Sequence, residues 1–254
     1  MLKYIADAER RAGEAILGVY GSAVHVELKA DSSPVTEADR LSHGVLVDHL
    51  ARTSSFPVLS EEGKDIPYDV RRHWETFWIL DPLDGTKEFI SRNGEFTVNA
   101  ALIHRGLPVM GAIYAPVKDL LYTAIRGGGA YRTMHGETVR LPVDQRRKGC
   151  VVAGSRSHAS REFDEYVQAL RARHDDLVFL SAGSSLKFCL VAEGAADLYP
   201  RLGTTMEWDT AAGQLIVEEA GGRVVDAASG WPLQYNKADL RNPHFIATGR
   251  EWHD

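Results

Sequence analysis

Two aspartates interrupt the stretch FWILDPLDGTKEF, residues 77–89. Phe77 to Leu80 reads as a strand, and it ends in Asp81 and Asp84, which bracket Pro82 and are followed at once by Gly85 and Thr86. Other carboxylates fall at element ends too: Asp39 early in a helix, Glu61 and Glu62 in PVLSEEG after a short strand, and Asp209 in EWDTAAG opening a helix. Element ends let side chains converge on a cleft without occupying the core. Hard oxygen ligands of this kind suit Mg²⁺, which is held by few carboxylates together with water and substrate phosphate. Two such ions, about 3.5–4 Å apart, can activate a water and stabilise the leaving oxygen of an in-line phosphoryl displacement.

Taken singly, each motif has an ordinary reading. An isolated Asp-Gly is a turn, SEEG fits a solvated surface loop, and Asp209 could serve as an N-cap with Thr210 beginning the helix. Pro82 and Gly85 change the reading at 81–86. The proline restricts the backbone between the carboxylates, and the glycine permits a tight turn. The amides of Gly85 and Thr86, at the start of the helical KEFI, can then receive a phosphate.

The elements that must position these groups follow from periodicity. Residues 2–20 carry Ile5, Ala8, Ala12, Ala15, Ile16 and Val19 near helical spacing. Thr36 stands three residues before Asp39, an acidic variant of the capping box, and begins a second helix whose apolar face is Leu41, Val45, Leu46 and Leu50. Glu37 and Asp39 then lie in its first turn, where the helix dipole favours negative charge. From Phe77 to Tyr131, FTVNAALI, PVMGAIYAP and LLYTAI follow at hairpin-like intervals, with RGGGAYR as a glycine-rich turn, predicting a meandering antiparallel sheet. A polar connection at 141–149 leads to a second pattern: strand CVVAG, helix 159–172, strand LVFLS, helix 184–193, strand ADLYP and helix 207–220. That alternation predicts a layered α/β unit. One catalytic domain over 1–254 is expected, with an N-terminal α+β lobe about 1–146 and a smaller C-terminal α/β lobe about 147–254.

Composition excludes several classes. The 254 residues, 44% of them apolar, can bury a substantial core. With 35 acidic against 29 basic residues the net charge is −6, and no basic stripe marks a nucleic-acid binder. Cys150 and Cys189 are too few for a disulfide framework; both fall in apolar stretches and read as core residues of a cytoplasmic protein. No run of about 20 apolar residues predicts a membrane span. Ten histidines form no HExxH set, which argues against a zinc enzyme. RGGGA lacks the ending of a P-loop, and His158 in SRSHAS reads as a capping-region or surface residue.

Together, WILDPLDGTKEF with LSEEG upstream and EWDTAAGQLIVEEAGG downstream resemble the inositol monophosphatase superfamily of Mg²⁺-dependent, lithium-sensitive phosphatases. The resemblance covers essentially the whole chain. DPLDGTKEFISRNGEFTVNAALI, GAIYAPV, SRSH and GSSLKFCLVAEGAADLYPRLGTTMEWDTAAG resemble in particular the bacterial 3'(2'),5'-bisphosphate nucleotidases of that superfamily. The implied fold is the α+β sugar-phosphatase fold, a layered α/β/α/β/α sandwich. The implied activity is removal of the 3'-phosphate of adenosine 3',5'-bisphosphate, which supports sulfate assimilation.

Matched motif by motif, the resemblance implies that Glu61, Asp81 and the Leu83 carbonyl ligate one Mg²⁺. Asp81, Asp84 and Asp209 hold the second. Glu62 and Asp39 lie near the attacking water or a weaker third ion, and Thr86, paired with Asp39, orients and deprotonates that water. Gly85 and Thr86 amides bind the transferred phosphate. Around the nucleotide stand Ser184, Ser185, Lys187 and Arg201, the cationic and hydroxyl donors that a second phosphate needs; without the resemblance, Lys187 reads equally as a solvated helix residue. The expected partner is a small nucleotide bisphosphate. The expected assembly is a monomer or homodimer, with peripheral contact at the inner face of the membrane left open. The alternatives are an inositol or other sugar monophosphatase, which shares the metal centre, and a non-catalytic phosphate-ligand sensor, which should have lost a bridging carboxylate or Thr86.

Overall fold

The computed structural model describes residues 1–21, 26–28, 34–143, 149–155, 161–250 and 252. In chain order, the first elements are α1 (Leu2–Tyr20), β1 (Val26–Leu28), β2 (Pro34–Thr36), α2 (Glu37–Ala51), β3 (Val58–Ser60), α3 (Tyr68–Arg71), β4 (Thr76–Asp84), α4 (Thr86–Ile90), β5 (Thr97–His104), β6 (Leu107–Ala115), β7 (Leu120–Ile125), β8 (Gly129–Met134) and β9 (Glu137–Arg140). They are followed by β10 (Val151–Gly154), α5 (Arg161–Arg171), β11 (Val178–Ser181), α6 (Leu186–Glu193), β12 (Leu198–Arg201), α7 (Glu207–Glu219), β13 (Arg223–Asp226) and β14 (Phe245–Thr248).

Strands β3 to β9 form one sheet in sequence order. β4 to β9 are the expected antiparallel meander, but β3 joins the edge parallel to β4, with Leu59 opposite Ile79. The parallel edge lies before the stretch 77–131 for which the meander was expected, and it has a consequence: the C-terminal ends of β3 and β4 lie side by side, which brings Glu61 towards Asp81. The apolar run of β4 is continuous because both its faces are covered. Trp78 and Leu80 pack with Ile5, Ala12, Ile16, Leu46 and Leu50 of α1 and α2. Phe77 and Ile79 face the other way, onto Ala211, Ala212, Leu215 and Ile216 of α7.

The same core cluster continues from α7 and from Phe188, Cys189 and Val191 of α6 into a second, mixed sheet, ordered β11-β10-β12-β14-β13. Its strands contribute Val151, Ala153, Tyr199, Val224, Phe245 and Ala247. Beyond it, Leu170 of α5 packs on Cys150, Val152 and Leu198. The order is therefore helices, seven-stranded sheet, helices, five-stranded sheet, helix, an α/β/α/β/α sandwich. β13 and β14, beyond the last predicted helix, pair antiparallel with the sheet and complete it. Both cysteines are buried and unbridged, as expected. Among the described residues no helix is long and apolar enough to cross a membrane.

Candidate active site

Strand β4 carries its apolar run into the acidic turn. The register against β5 shifts between Asp81 and Asp84, where Pro82 has no amide to donate, so two carboxylates three residues apart leave the sheet on its cleft side. Asp81 is buried, and its Oδ1 accepts the Leu83 amide at 3.1 Å. Gly85 then adopts φ +95°, and α4 begins at Thr86. Glycine is required here on two grounds. The left-handed backbone disfavours a side chain, and an added Cβ would lie 2.1 Å from Ser184 Oγ.

Carboxylate oxygens of Glu61, Asp81 and Asp209 lie within 4.8 Å of one another. Asp209 arrives from α7, where the sequence allowed it to be the N-cap. It is instead the third helical residue: Met206 is the cap, and its amide donates to Asp209 Oδ2 at 2.8 Å. Burial, and then the charges of Glu61, Asp84 and Asp209, push the Asp81 carboxyl well above its usual range. Burial and Asp84 do the same to Asp209, against the help of the Met206 amide. Crowded carboxylates of this kind need protons or a cation. An oxygen-only donor set around buried negative charge fits a hard divalent metal.

Asp39 stands beside this cluster. The predicted capping box is present: the Thr36 amide and hydroxyl both donate to Asp39 Oδ2, at 2.7 and 2.6 Å, and the Ala38 amide donates to Thr36 Oγ1 at 3.2 Å. The other oxygen, Oδ1, accepts the Thr86 hydroxyl at 3.3 Å. Burial raises the Asp39 pKa, partly offset by the Thr36 bonds, and Glu62 is near enough to add to the rise. Glu61 and Glu62 are both half-buried, so SEEG is not a fully solvated loop.

Glu61, Asp84, Gly85, Thr86 and Asp209 line one open cleft with Ser184, Ser185, Lys187 and Arg201. Ser184 and Ser185, predicted as helical, precede α6, and Ser184 adopts φ +49°. Ser184 Oγ lies 2.8 Å from the carbonyls of both Asp84 and Glu95, tying this turn to the acidic one. Ser185 Oγ donates to Asp84 Oδ2 at 2.6 Å. Lys187 is no solvated helix residue: it is 5% exposed, and its Nζ donates to the carbonyls of Ser184 at 2.6 Å and Ala182 at 3.2 Å, beneath the Tyr199 ring. Burial pulls its pKa down to about 8. Arg201 donates to the Thr204 carbonyl at 3.2 Å, while its Nε is buried without a partner.

Sequence reasoning missed Asn99, whose Nδ2 lies 3.3 Å from Asp84 Oδ2 and 2.9 Å from Ser185 Oγ. It also missed Lys87, Ser155, Tyr199 and Phe245, which line the cleft. An amide alone in the apolar run TVNAALI was the available signal for Asn99, since a buried polar group needs a partner. His158 lies outside the described residues.

The fold and this acidic cleft define a class, and comparison with known proteins agrees: a profile of the inositol monophosphatase family matches residues 1–254, and the chain belongs to that family. Within it, the chain is 49% identical over 250 residues to the 3'(2'),5'-bisphosphate nucleotidase CysQ of Escherichia coli O157:H7, covering 96% of this chain and 98% of that one. It is 48% identical to the CysQ of Salmonella typhimurium, at 98% and 99% coverage. The crystal structure of CysQ from Bacteroides thetaiotaomicron superposes with a TM-score of 0.90 at 47% identity, covering 99% and 97% of the two chains.

Proposed function

We propose that this protein is a Mg²⁺-dependent 3'(2'),5'-bisphosphate nucleotidase. It hydrolyses the 3'-phosphate of adenosine 3',5'-bisphosphate to AMP and phosphate, in the cytoplasm and in support of sulfate assimilation. The observation that carries the reading is one cleft with two chemistries: the carboxylates of Glu61, Asp84 and Asp209 and the cations Lys187 and Arg201 line the same cleft. The nucleotidases at near 48% identity over nearly the whole chain give the substrate class.

Glu61, Asp81 and the Leu83 carbonyl would hold one Mg²⁺, and Asp81, Asp84 and Asp209 a second. When bound, the metal supplies Lewis-acid charge at the phosphoryl group and lowers the pKa of water. The protein's own contributions are positional. Thr86 Oγ1 donates to Asp39 Oδ1, so its lone pairs can accept a hydrogen bond from the attacking water and pass that water's proton towards Asp39. Burial raises the affinity of Asp39 for that proton. Gly85 and Thr86 line the cleft at the start of α4, where their amides would receive the phosphoryl oxygens. Lys187 has three N–H donors and two carbonyl partners, leaving one donor for the phosphate that is not cleaved. The unpartnered Nε of Arg201 gains a partner in the same way. The test is phosphate release from adenosine 3',5'-bisphosphate by metal-stripped protein before and after Mg²⁺ is restored. Release only after restoration supports the reading, and release that survives stripping contradicts it.

A further inference from the structure

One oxygen of Asp84 is engaged by a chain of buried polar side chains that reaches it from β5. Thr97, fully buried on β5, donates its hydroxyl to Asn99 Oδ1 at 2.9 Å. That bond fixes which end of the Asn99 amide is which, and its NH₂ therefore faces Asp84 Oδ2 at 3.3 Å and Ser185 Oγ at 2.9 Å. With Asn99 donating to it, Ser185 Oγ directs its own proton to Asp84 Oδ2 at 2.6 Å, a shorter contact than the 3.1 Å to the Asp209 carbonyl. Thr97, Asn99 and Ser185 are each at most 3% exposed. Two donors thus converge on Oδ2, and neither of them engages Oδ1.

We infer that Asn99 and Ser185 are positioning residues for Asp84: they hold its Oδ2 from inside the protein so that the carboxylate offers a divalent metal a single, oriented oxygen. The inference rests on the assignment of Asp84 as a metal ligand. It also gives Ser185 a different duty from substrate contact, because its one proton is committed to Asp84. Groups that hydrogen-bond a ligating carboxylate set its orientation, and removing one typically weakens metal affinity by about 10- to 100-fold.

The experiment is calorimetric titration of metal-free protein with Mn²⁺ alone, which reads affinity without turnover. Asn99→Ala is expected to weaken Mn²⁺ binding at the Asp84-dependent site by about 10-fold or more, and Ser185→Ala similarly. Neither should add to the loss caused by Asp84→Ala, since both act through that carboxylate. Thr97→Val, which keeps the side-chain shape, lets the amide rotate and is expected to give a smaller loss of the same sign; it serves where Asn99→Ala fails to fold. At saturating Mn²⁺ the KM for a phosphate ester should move less than the metal affinity does. Affinity within twofold of the unsubstituted protein in variants that stay folded, or an equal further loss in the Asp84→Ala background, overturns the positioning role. If Asp84→Ala itself leaves every Mn²⁺ site intact, the metal assignment falls and takes this inference with it.

Discussion

Replacing Lys187 with methionine should weaken the enzyme while scarcely destabilising it. In the folded protein burial lowers the pKa of this ammonium from 10.5 to about 8. A basic group with a depressed folded pKa binds fewer protons in the native state than in the unfolded one between those two values. Stability therefore rises with pH across that window, and the full penalty, about 3 kcal/mol, is present below pH 8. Methionine removes that penalty and fills a similar volume, but the carbonyls of Ala182 and Ser184 each lose a donor, at a cost of about 1 kcal/mol apiece. The net change at pH 7 should lie between a loss of about 1 and a gain of about 2 kcal/mol, read from urea unfolding. In the wild type the slope of stability with pH should be positive from about pH 8 to 10.5, and this component should vanish in the variant. The kinetic effect runs the other way. Loss of a charge-assisted bond worth roughly 1.5–3 kcal/mol should raise KM for adenosine 3',5'-bisphosphate by about 10- to 100-fold and leave a small monophosphate little changed. A KM within threefold of wild type, or a stability loss above about 4 kcal/mol, would refute this reasoning and make Lys187 a structural strut.

Three further outcomes are expected. Asp84→Asn should lower turnover by at least roughly 10²-fold at saturating Mg²⁺ with the fold retained by circular dichroism; turnover within a few-fold of wild type would contradict its role. Gly85→Ala forces a side chain into the left-handed region and onto Ser184 Oγ, costing about 2–5 kcal/mol of stability and more than 10-fold in kcat; an unchanged melting temperature would show that the turn is not held as described. Glu9, fully buried in α1, has no formed side-chain hydrogen bond among the described residues; the Ala100 backbone is close enough to oppose, but not to cancel, a large rise in its pKa from burial. Its native state holds a proton that the unfolded chain loses above about pH 4.5, so stability falls with rising pH, and Glu9→Leu should raise the melting temperature at pH 7. A lower melting temperature for that variant would contradict the reading.

The acidic motifs were legible because each sits at an element boundary, Glu61, Asp81 and Asp84 where a strand ends and Asp39 and Asp209 in the first turn of a helix. The α2 capping box was legible for a related reason: it is a local pattern whose partners lie three residues apart. What escaped depends on distant pairing. The three-residue β3 has no intrinsic sign of running parallel to β4, and β13 and β14 are short strands that only their register against β12 makes coherent. Ser184 escaped because a serine with positive φ looks like any helix-leading serine; the strain is held by Oγ contacts to Asp84 and Glu95, both about ninety residues away or more. Lys187 reads as solvated by its type, and only the packing of α6 against Tyr199 reveals a buried cation. Glu9 was passed over in the sequence, although it falls within the apolar stripe of α1 between Ile5 and Ala12, and its burial emerges only from the packing.

The central claim, that this cleft cleaves one phosphate of a bisphosphate nucleotide while gripping the other, is tested most directly by a single comparison. Initial rates of phosphate release should be measured with Mg²⁺ on adenosine 3',5'-bisphosphate and on inositol 1-phosphate, with the nucleotide product identified. Two charge-assisted contacts to the retained phosphate, from Lys187 and Arg201, should favour the bisphosphate in kcat/KM by about 10²-fold or more, and the product should be adenosine 5'-phosphate. Equal or better hydrolysis of inositol 1-phosphate, or adenosine 3'-phosphate as the product, would contradict the account.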